Sequence, residues 1–247
     1  MISPAVVHPD KIDAVVFDMG GVFVVPSPQA VSAIVTAAGV ALELDDESAR
    51  LGHYAGVAAI TSSLSTEPAS EADPRVWEAY DLAYFAAAGL SGEGLQTAVV
   101  ARHSERVSGD SAAIWRHVLE ENRDAFHAIS ALRPVAVVTN NNGTAIEQCR
   151  DLGICQIGPG DLPSVAAIVD SGVLGIAKPD PRIFAPALEA LGTSATRTLY
   201  VGDTVHADVH GAEAAGMPVV QIDPFDYHAD HSHWRLPDVV ALAEHLA

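Results

Sequence analysis

The 247-residue chain is 49% hydrophobic and 18% charged, enough apolar mass for one large domain or two unequal ones and too much for a disordered tail. Its 13 Lys and Arg against 32 Asp and Glu leave a formal charge of −19, which repels a nucleic-acid backbone or an anionic membrane surface, so neither is an expected partner. No apolar stretch reaches the roughly 20 residues that span a bilayer, the opening MISPAVVHPDK has no basic segment leading into an apolar one, and two cysteines, Cys149 and Cys155, make no disulfide framework; a cytoplasmic protein is the expectation.

Residues 14–17 (AVVF) form a short apolar run ending in Asp18 and a Gly pair, the pattern of a buried parallel strand that opens into a loop. The rhythm breaks from about 26 to 109, where Ala-rich helical patterns at 74–88 and 93–107 occur without a convincing strand. That interval reads as an inserted helical domain, with residues 1–25 and 110–247 as the core. Within it Trp77, Tyr80 and Tyr84 fall on one helical face, a core stripe rather than a stacking surface. The polar segment 61–70 (TSSLSTEPAS) reads as a loop between insert helices. Residues 110–132 carry Trp115, Leu119, Phe126 and Ile129 in near-helical spacing, which predicts a helix returning to the core.

Three more strands follow: 135–138 (VAVV) before Thr139 and three Asn, 198–201 (TLYV) before Gly202-Asp203, and 218–222 (PVVQI) before Asp223. Helices are predicted at 144–152, 182–191 and 208–215, the last stopped by Gly216. Strand and helix in alternation mean an α/β fold with a parallel sheet covered on both faces.

Asp18, Thr139, Lys178 and the pair Asp203/Asp208 all stand at or just beyond the C-terminal ends of these elements, which line one crevice in an open parallel sheet. Singly each could be a cap or a surface residue. Together they fit phosphoryl chemistry. A carboxylate at Asp18 can attack phosphorus only if the repulsion between two anions is cancelled; Asp203 and Asp208 can hold a hard divalent cation such as Mg²⁺ through oxygen, and Lys178 adds a positive charge. The Thr139 hydroxyl and nearby backbone N–H groups can donate to phosphate oxygens, helped by the following helix N-terminus. Gly21, Thr139, Asn140 and Lys178 are the phosphate-binding candidates.

Four segments in this order, FDMGGVF (17–23), VVTNN (137–141), GIAKPDPRIF (175–184) and VGDTVHADVHGAEAAGM (201–217), resemble the motifs of the haloacid dehalogenase-like (HAD) hydrolases, subfamily IA. The resemblance implies a Rossmann-like core with a mobile, inserted α-helical cap of the C1 type. It implies Mg²⁺ held by Asp18, the backbone carbonyl of Gly20, Asp203 and Asp208. It also implies catalysis by Asp18, Thr139 and Lys178 through an aspartyl-phosphate on Asp18, with a small phosphorylated metabolite as substrate.

One position departs from the pattern. Phosphatases of the family carry a second Asp two residues after the nucleophile, where this chain has Gly20, a D-x-G variant. That Asp protonates the leaving alkoxide, so its loss should cost on the order of 10²- to 10⁴-fold unless another group replaces it; His206, His53 and His103 are the substitutes in reach of sequence reasoning. Family members that hydrolyse phosphonoacetaldehyde use a cap lysine, yet the chain's two lysines, Lys11 and Lys178, both lie outside the insert. The dehalogenases do not keep the acidic GD-x4-D arrangement that Asp203 and Asp208 form here. The class-different alternative is a catalytically impaired or non-catalytic protein that binds a phosphorylated ligand, against which the full set of Asp18, Thr139, Lys178, Asp203 and Asp208 stands. Arg50, His53, Tyr54, Arg75, Arg102, His103 and Arg106 are the insert's specificity candidates. The histidine-rich segment 227–233 (YHADHSH) lacks the spacing and the cysteine of a structural zinc site and reads as a solvated loop.

Overall fold

A computed structural model describes residues 6–66, 74–108 and 114–247. The chain divides into two compact units, Met1–Phe23 with Val118–Ala247, and Val24–His117. The expected bounds were 25/26 and 109/110, and the chain around Trp115 is a strand and not the start of a helix. In chain order the elements are β1 (Ala14–Phe17), β2 (Val24–Pro26), α1 (Pro28–Ala37), α2 (Asp46–Thr66), α3 (Pro74–Ala87), α4 (Gly92–Ser108), β3 (Trp115–Val118), α5 (Glu120–Leu132), β4 (Val135–Thr139) and α6 (Ala145–Asp151). There follow β5 (Gln156–Ile157), β6 (Ser164–Val165), β7 (Ile168–Asp170), α7 (Ser171–Leu174), α8 (Ala185–Leu191), β8 (Thr198–Gly202), α9 (Gly211–Ala214), β9 (Val219–Ile222), β10 (Trp234–Leu236) and α10 (Val239–Leu246).

The larger unit is Rossmann-like: a six-stranded sheet in the order β10-β9-β8-β1-β4-β7, with every neighbouring pair parallel. β1, β4, β8 and β9 are buried along their whole length, which is why they read as continuous apolar runs. Successive strand residues face opposite sides. Val16, Val138 and Tyr200 join Ile183, Phe184 and Val209 in one apolar cluster. Phe17, Phe23 and Phe126 pack on one another at ring separations of 5.0–5.5 Å. The Asn122 amide fastens α5 by donating to Val22 O (2.7 Å) and accepting from Val239 N (3.1 Å). The edge strands β7 and β10 went unseen in the sequence because each has three residues, one of them charged, below what a period can register.

The smaller unit is helical apart from β2 and β3, which pair in a two-stranded sheet. α1 starts at Ser27, whose hydroxyl accepts from Ala30 N, with Pro28 in the first turn. Tyr80 and Tyr84 are buried in the core with Val57, Ile60, Val76 and Phe85, so the aromatic face of α3 is core, as its spacing suggested. Two glycines on α2 admit it: a Cβ on Gly52 would meet the Tyr84 ring at 3.0 Å and one on Gly56 the Tyr80 ring at 2.4 Å. The polar segment at 61–70 is not a loop from its start, since α2 runs on through Thr66; residues 67–70 lie outside those described. Among the described residues no helix is long and apolar enough to cross a membrane.

Candidate active site

The order of the sheet places β1 between β4 and β8, where the connections leave in opposite directions, the position at which open α/β sheets carry their sites. Asp18 directly follows β1, its N–H held by Val201 O at 2.8 Å. Thr139 ends β4 opposite Asp170 of β7, and Asp203 follows β8. All the core residues singled out from sequence therefore lie in one unit.

Asp18, Asp203 and Asp208 are buried and present carboxylate oxygens within 4.8 Å of one another. Lys178 Nζ sits among them, 2.9 Å from Asp18 Oδ1 and 2.6 Å from Asp208 Oδ1. Asp208 reaches this position because residues 205–210 wind as a π-helix, a wide turn common at functional sites. Glycine at 202 is required as well, since a Cβ there would lie 2.3 Å from Asp208 Cγ. The second Asp208 oxygen accepts from Asp203 N (3.1 Å), Thr204 N (2.9 Å) and Thr204 Oγ1 (2.8 Å). Asp18 Oδ1, by contrast, is buried and receives no hydrogen bond.

Three acids around one lysine leave an excess of buried negative charge, and the titration of each group follows from it. Burial, reinforced by Asp208 and Asp203, pushes the Asp18 carboxyl up to about 7 against the pull of Lys178. Asp203 is pushed well up, again by burial first and Asp208 second. Burial also opposes ionisation of Asp208, but the Lys178 ammonium and the Thr204 donors outweigh it and hold this carboxyl low. Burial alone would pull the Lys178 ammonium down; Asp18 and Asp208 together push it up instead.

The side chain of Asn140 has a task that the sequence did not indicate. Its side-chain amide pairs with the backbone of Lys178 in both directions, accepting from Lys178 N (2.8 Å) and donating to Lys178 O (3.2 Å). It thereby fixes where the lysine leaves the main chain, where the Lys178–Pro179 bond is cis. Gly21 takes a φ of +63°, a left-handed conformation that favours glycine. Gly20 lies between Met19 and Gly21 and offers only backbone.

Three residues of the site escaped the sequence reading. The Tyr200 hydroxyl lies 2.9 Å from both Lys178 Nζ and Asp208 Oδ1; its one signal was a hydroxyl between the apolar Leu199 and Val201. Thr204 grips Asp208 as described. Asp170 accepts from Gly143 N (3.0 Å), Ala145 N (3.0 Å) and Gly172 N (2.8 Å), and so shapes the loop after Thr139; it belongs to the strand that went unseen.

The histidine segment is not a solvated loop throughout. His228 is buried with Nδ1 3.1 Å from Gln221 Nε2, and His233 Nε2 lies 2.6 Å from Gln221 Oε1. Gln221 Nε2 in turn donates to Asp203 O at 2.7 Å, so this segment braces the backbone of an acidic site residue. His206 packs edge-on against His210. In the helical unit His53 is buried beside Tyr80 OH at 2.9 Å, Tyr54 is buried and His103 is exposed. Arg106 grips Asp81 with two nitrogens at 2.8 and 3.0 Å, and Arg102 pairs with Glu105 at 2.7 Å. Both arginines are thus committed inside their own unit.

The sequence profile of the haloacid dehalogenase-like hydrolases matches residues 12–216. The chain belongs to this family. Among its relatives, phosphoserine phosphatase of Thermus thermophilus is 35% identical over 108 residues, 44% of this chain and 42% of that protein. Glyceraldehyde 3-phosphate phosphatase of Methanopyrus kandleri is 42% identical over 55 residues, 22% of this chain and 24% of that protein. The chain thus spans less than half the length of either relative. Among solved structures, the HAD-hydrolase YfnB of Bacillus subtilis, bound to magnesium, superposes with a TM-score of 0.57 at 18% identity, covering 95% of this chain and 98% of that one. A subfamily IA HAD hydrolase of Geobacter sulfurreducens gives 0.54 at 22% identity, covering 96% and 97%. At these identities the structural likeness speaks for the fold.

Proposed function

We propose that this HAD hydrolase is a Mg²⁺-dependent phosphatase of a small phosphorylated metabolite, acting in the cytoplasm through an aspartyl-phosphate on Asp18. The observation that carries the reading is the gathering of Asp18, Lys178, Asp203 and Asp208 in one buried cluster with a surplus of negative charge. An all-oxygen set with one buried carboxylate oxygen lacking any hydrogen bond fits a hard divalent cation. Asp18, Asp203 and Asp208, with the Gly20 carbonyl, would hold it. When bound, Mg²⁺ would withdraw charge from the phosphoryl oxygens.

The chain's own residues supply the rest. An ionised Asp18 oxygen attacks phosphorus, a new O–P bond forms, and the bond to the leaving oxygen breaks with its electron pair. Lys178 donates to a phosphoryl oxygen and offsets the added charge. Thr139 and the backbone N–H groups of Gly21 and Asn140 hold the other oxygens. Water then attacks the phosphorus, releasing phosphate and returning the Asp18 carboxylate. Gly20 has no carboxyl to protonate the leaving oxygen, which favours substrates whose leaving groups depart as stable anions. The inserted helical unit would serve as the cap that selects among them.

The test is phosphate release from an aryl phosphate and an acyl phosphate, with Mg²⁺ or with EDTA. Release by wild type that stops in EDTA and in Asp18→Asn is expected. No Mg²⁺-dependent release by the wild-type protein would leave the phospho-ligand-binding alternative, and release by Asp18→Asn would remove the nucleophile assignment.

A further inference from the structure

Lys178 is held at both ends. Asn140 fixes its backbone, and the ammonium donates to Asp208 Oδ1 at 2.6 Å and Tyr200 OH at 2.9 Å. A lysine ammonium is a rotor with three N–H donors. It turns about the Cε–Nζ bond, and a second acceptor set at the angle of its second N–H deepens the rotational well that the first one makes. Asp18 Oδ1, 2.9 Å away, is an ion-pair contact outside hydrogen-bonding geometry, which leaves the third N–H open to another acceptor. We infer that Tyr200 is a positioning residue of this hydrolase: with Asp208 it pins the Lys178 ammonium so that its third N–H points to an incoming anion rather than quenching Asp18.

Tyr200 is built for such a task. It is fully buried in β8, with its ring T-shaped against Phe184 at 5.0 Å. Its own hydroxyl hydrogen has two acceptors in reach, Asp208 Oδ1 at 2.9 Å and Val138 O at 3.2 Å. The hydroxyl can therefore accept from Lys178 while donating to Asp208, which closes a three-membered ring of hydrogen bonds. Phenylalanine keeps the ring and its packing but removes the acceptor, leaving the ammonium hydrogen-bonded to Asp208 alone and able to turn a second N–H to Asp18 Oδ1, 2.9 Å away.

The catalytic half of this inference rests on the proposed phosphatase reading; the structural half does not. Lys178 is one of only two lysines in the chain, so ¹⁵N-lysine labelling reports its ammonium almost alone. In the resting, metal-free protein the Lys178 ammonium should exchange its hydrogens slowly, and Tyr200→Phe should speed that exchange by on the order of tenfold. In turnover of an aryl phosphate with Mg²⁺, Tyr200→Phe should lower kcat about tenfold, as for a lost hydrogen bond to a charged group, with KM nearly unchanged. Thr198→Val is the control, because Thr198 lies on the same strand, is fully buried, and donates its hydroxyl to Ser194 O at 2.9 Å, away from the lysine. It should lower the Tm and leave both readouts at wild-type values. Unchanged exchange in Tyr200→Phe would overturn the pinning, and a kcat loss no larger than that of Thr198→Val would overturn its catalytic use. Wild-type protein without phosphatase activity but with the exchange difference would sink the function while sparing the pinning.

Discussion

Each unit of the molecule buries a cluster of charges, and the two clusters are balanced in opposite ways. In the helical unit Asp81 and Glu105 meet Arg102 and Arg106, two acids against two bases, with the Asp81 carboxylate in the two-nitrogen grip of Arg106. In the sheet unit Asp18, Asp203 and Asp208 gather about Lys178, with His228 acting on Asp203 from further off, and one Asp18 carboxylate oxygen receives no hydrogen bond. The first cluster is complete within the chain and holds helices together. The second holds more acids than bases, and that imbalance is what the proposed cation site rests on.

The comparison can be pushed hardest by adding a further acid to the unbalanced cluster. Gly20 does not use the left-handed backbone that its neighbour Gly21 does, so Gly20→Asp meets no backbone strain of that kind and restores a group able to protonate a leaving alkoxide. We expect turnover of alkyl phosphates to rise on the order of 10²-fold, with a much smaller gain on aryl and acyl phosphates; equal gains on all three would mean that leaving-group protonation is not what limits the wild type. Removing an acid from the balanced cluster should instead cost stability. Asp81→Asn leaves two arginines without their carboxylate and should lower the unfolding free energy by about 3 kcal/mol in urea titration. A loss under ~1 kcal/mol would show that solvent, not Asp81, carries Arg106.

Magnesium should stabilise the protein by about 2.7 kcal/mol at a hundredfold excess over its Kd, read as a rise in Tm that Asp208→Asn abolishes. The pH dependence follows from Asp18, whose folded carboxyl titrates at about 7 against 3.8 for its ordinary value. A raised carboxyl binds a proton more tightly folded than unfolded, so in EDTA its contribution is present below 3.8 and is lost as the pH rises through 7. Between pH 5 and pH 8 the metal-free wild type should therefore lose more Tm than Asp18→Asn, and added Mg²⁺ should help the wild type more at pH 8 than at pH 6. Parallel Tm profiles of the two proteins in EDTA would refute the raised carboxyl. The smallest effect is one of packing: Gly56→Ala drives a methyl into the Tyr80 ring and should cost about 2 kcal/mol without changing phosphate release.

Much of the site was legible because its parts announce themselves locally. A buried strand followed by Asp18, another by Thr139 and a third by Gly202-Asp203 are patterns a few residues long, and the parallel sheet brings strand ends together wherever they lie in the chain. The insert was legible for the converse reason, since a stretch without strand pattern interrupts the alternation. Trp115 misled because four strand residues carry no period that distinguishes them from the helix that follows.

What the chain dictates by itself is therefore which residue types stand at the strand ends, and hence the class of chemistry. Only the packed structure decides which partners they keep. It turns Asn140 toward the Lys178 backbone, commits Arg102 and Arg106 to Asp81 and Glu105, buries His228 beside Gln221, and sets Tyr200 against the lysine. Hydrogen-bond partners such as these are far apart in sequence and are chosen by distance and direction after the sheet has formed. A local pattern carries neither.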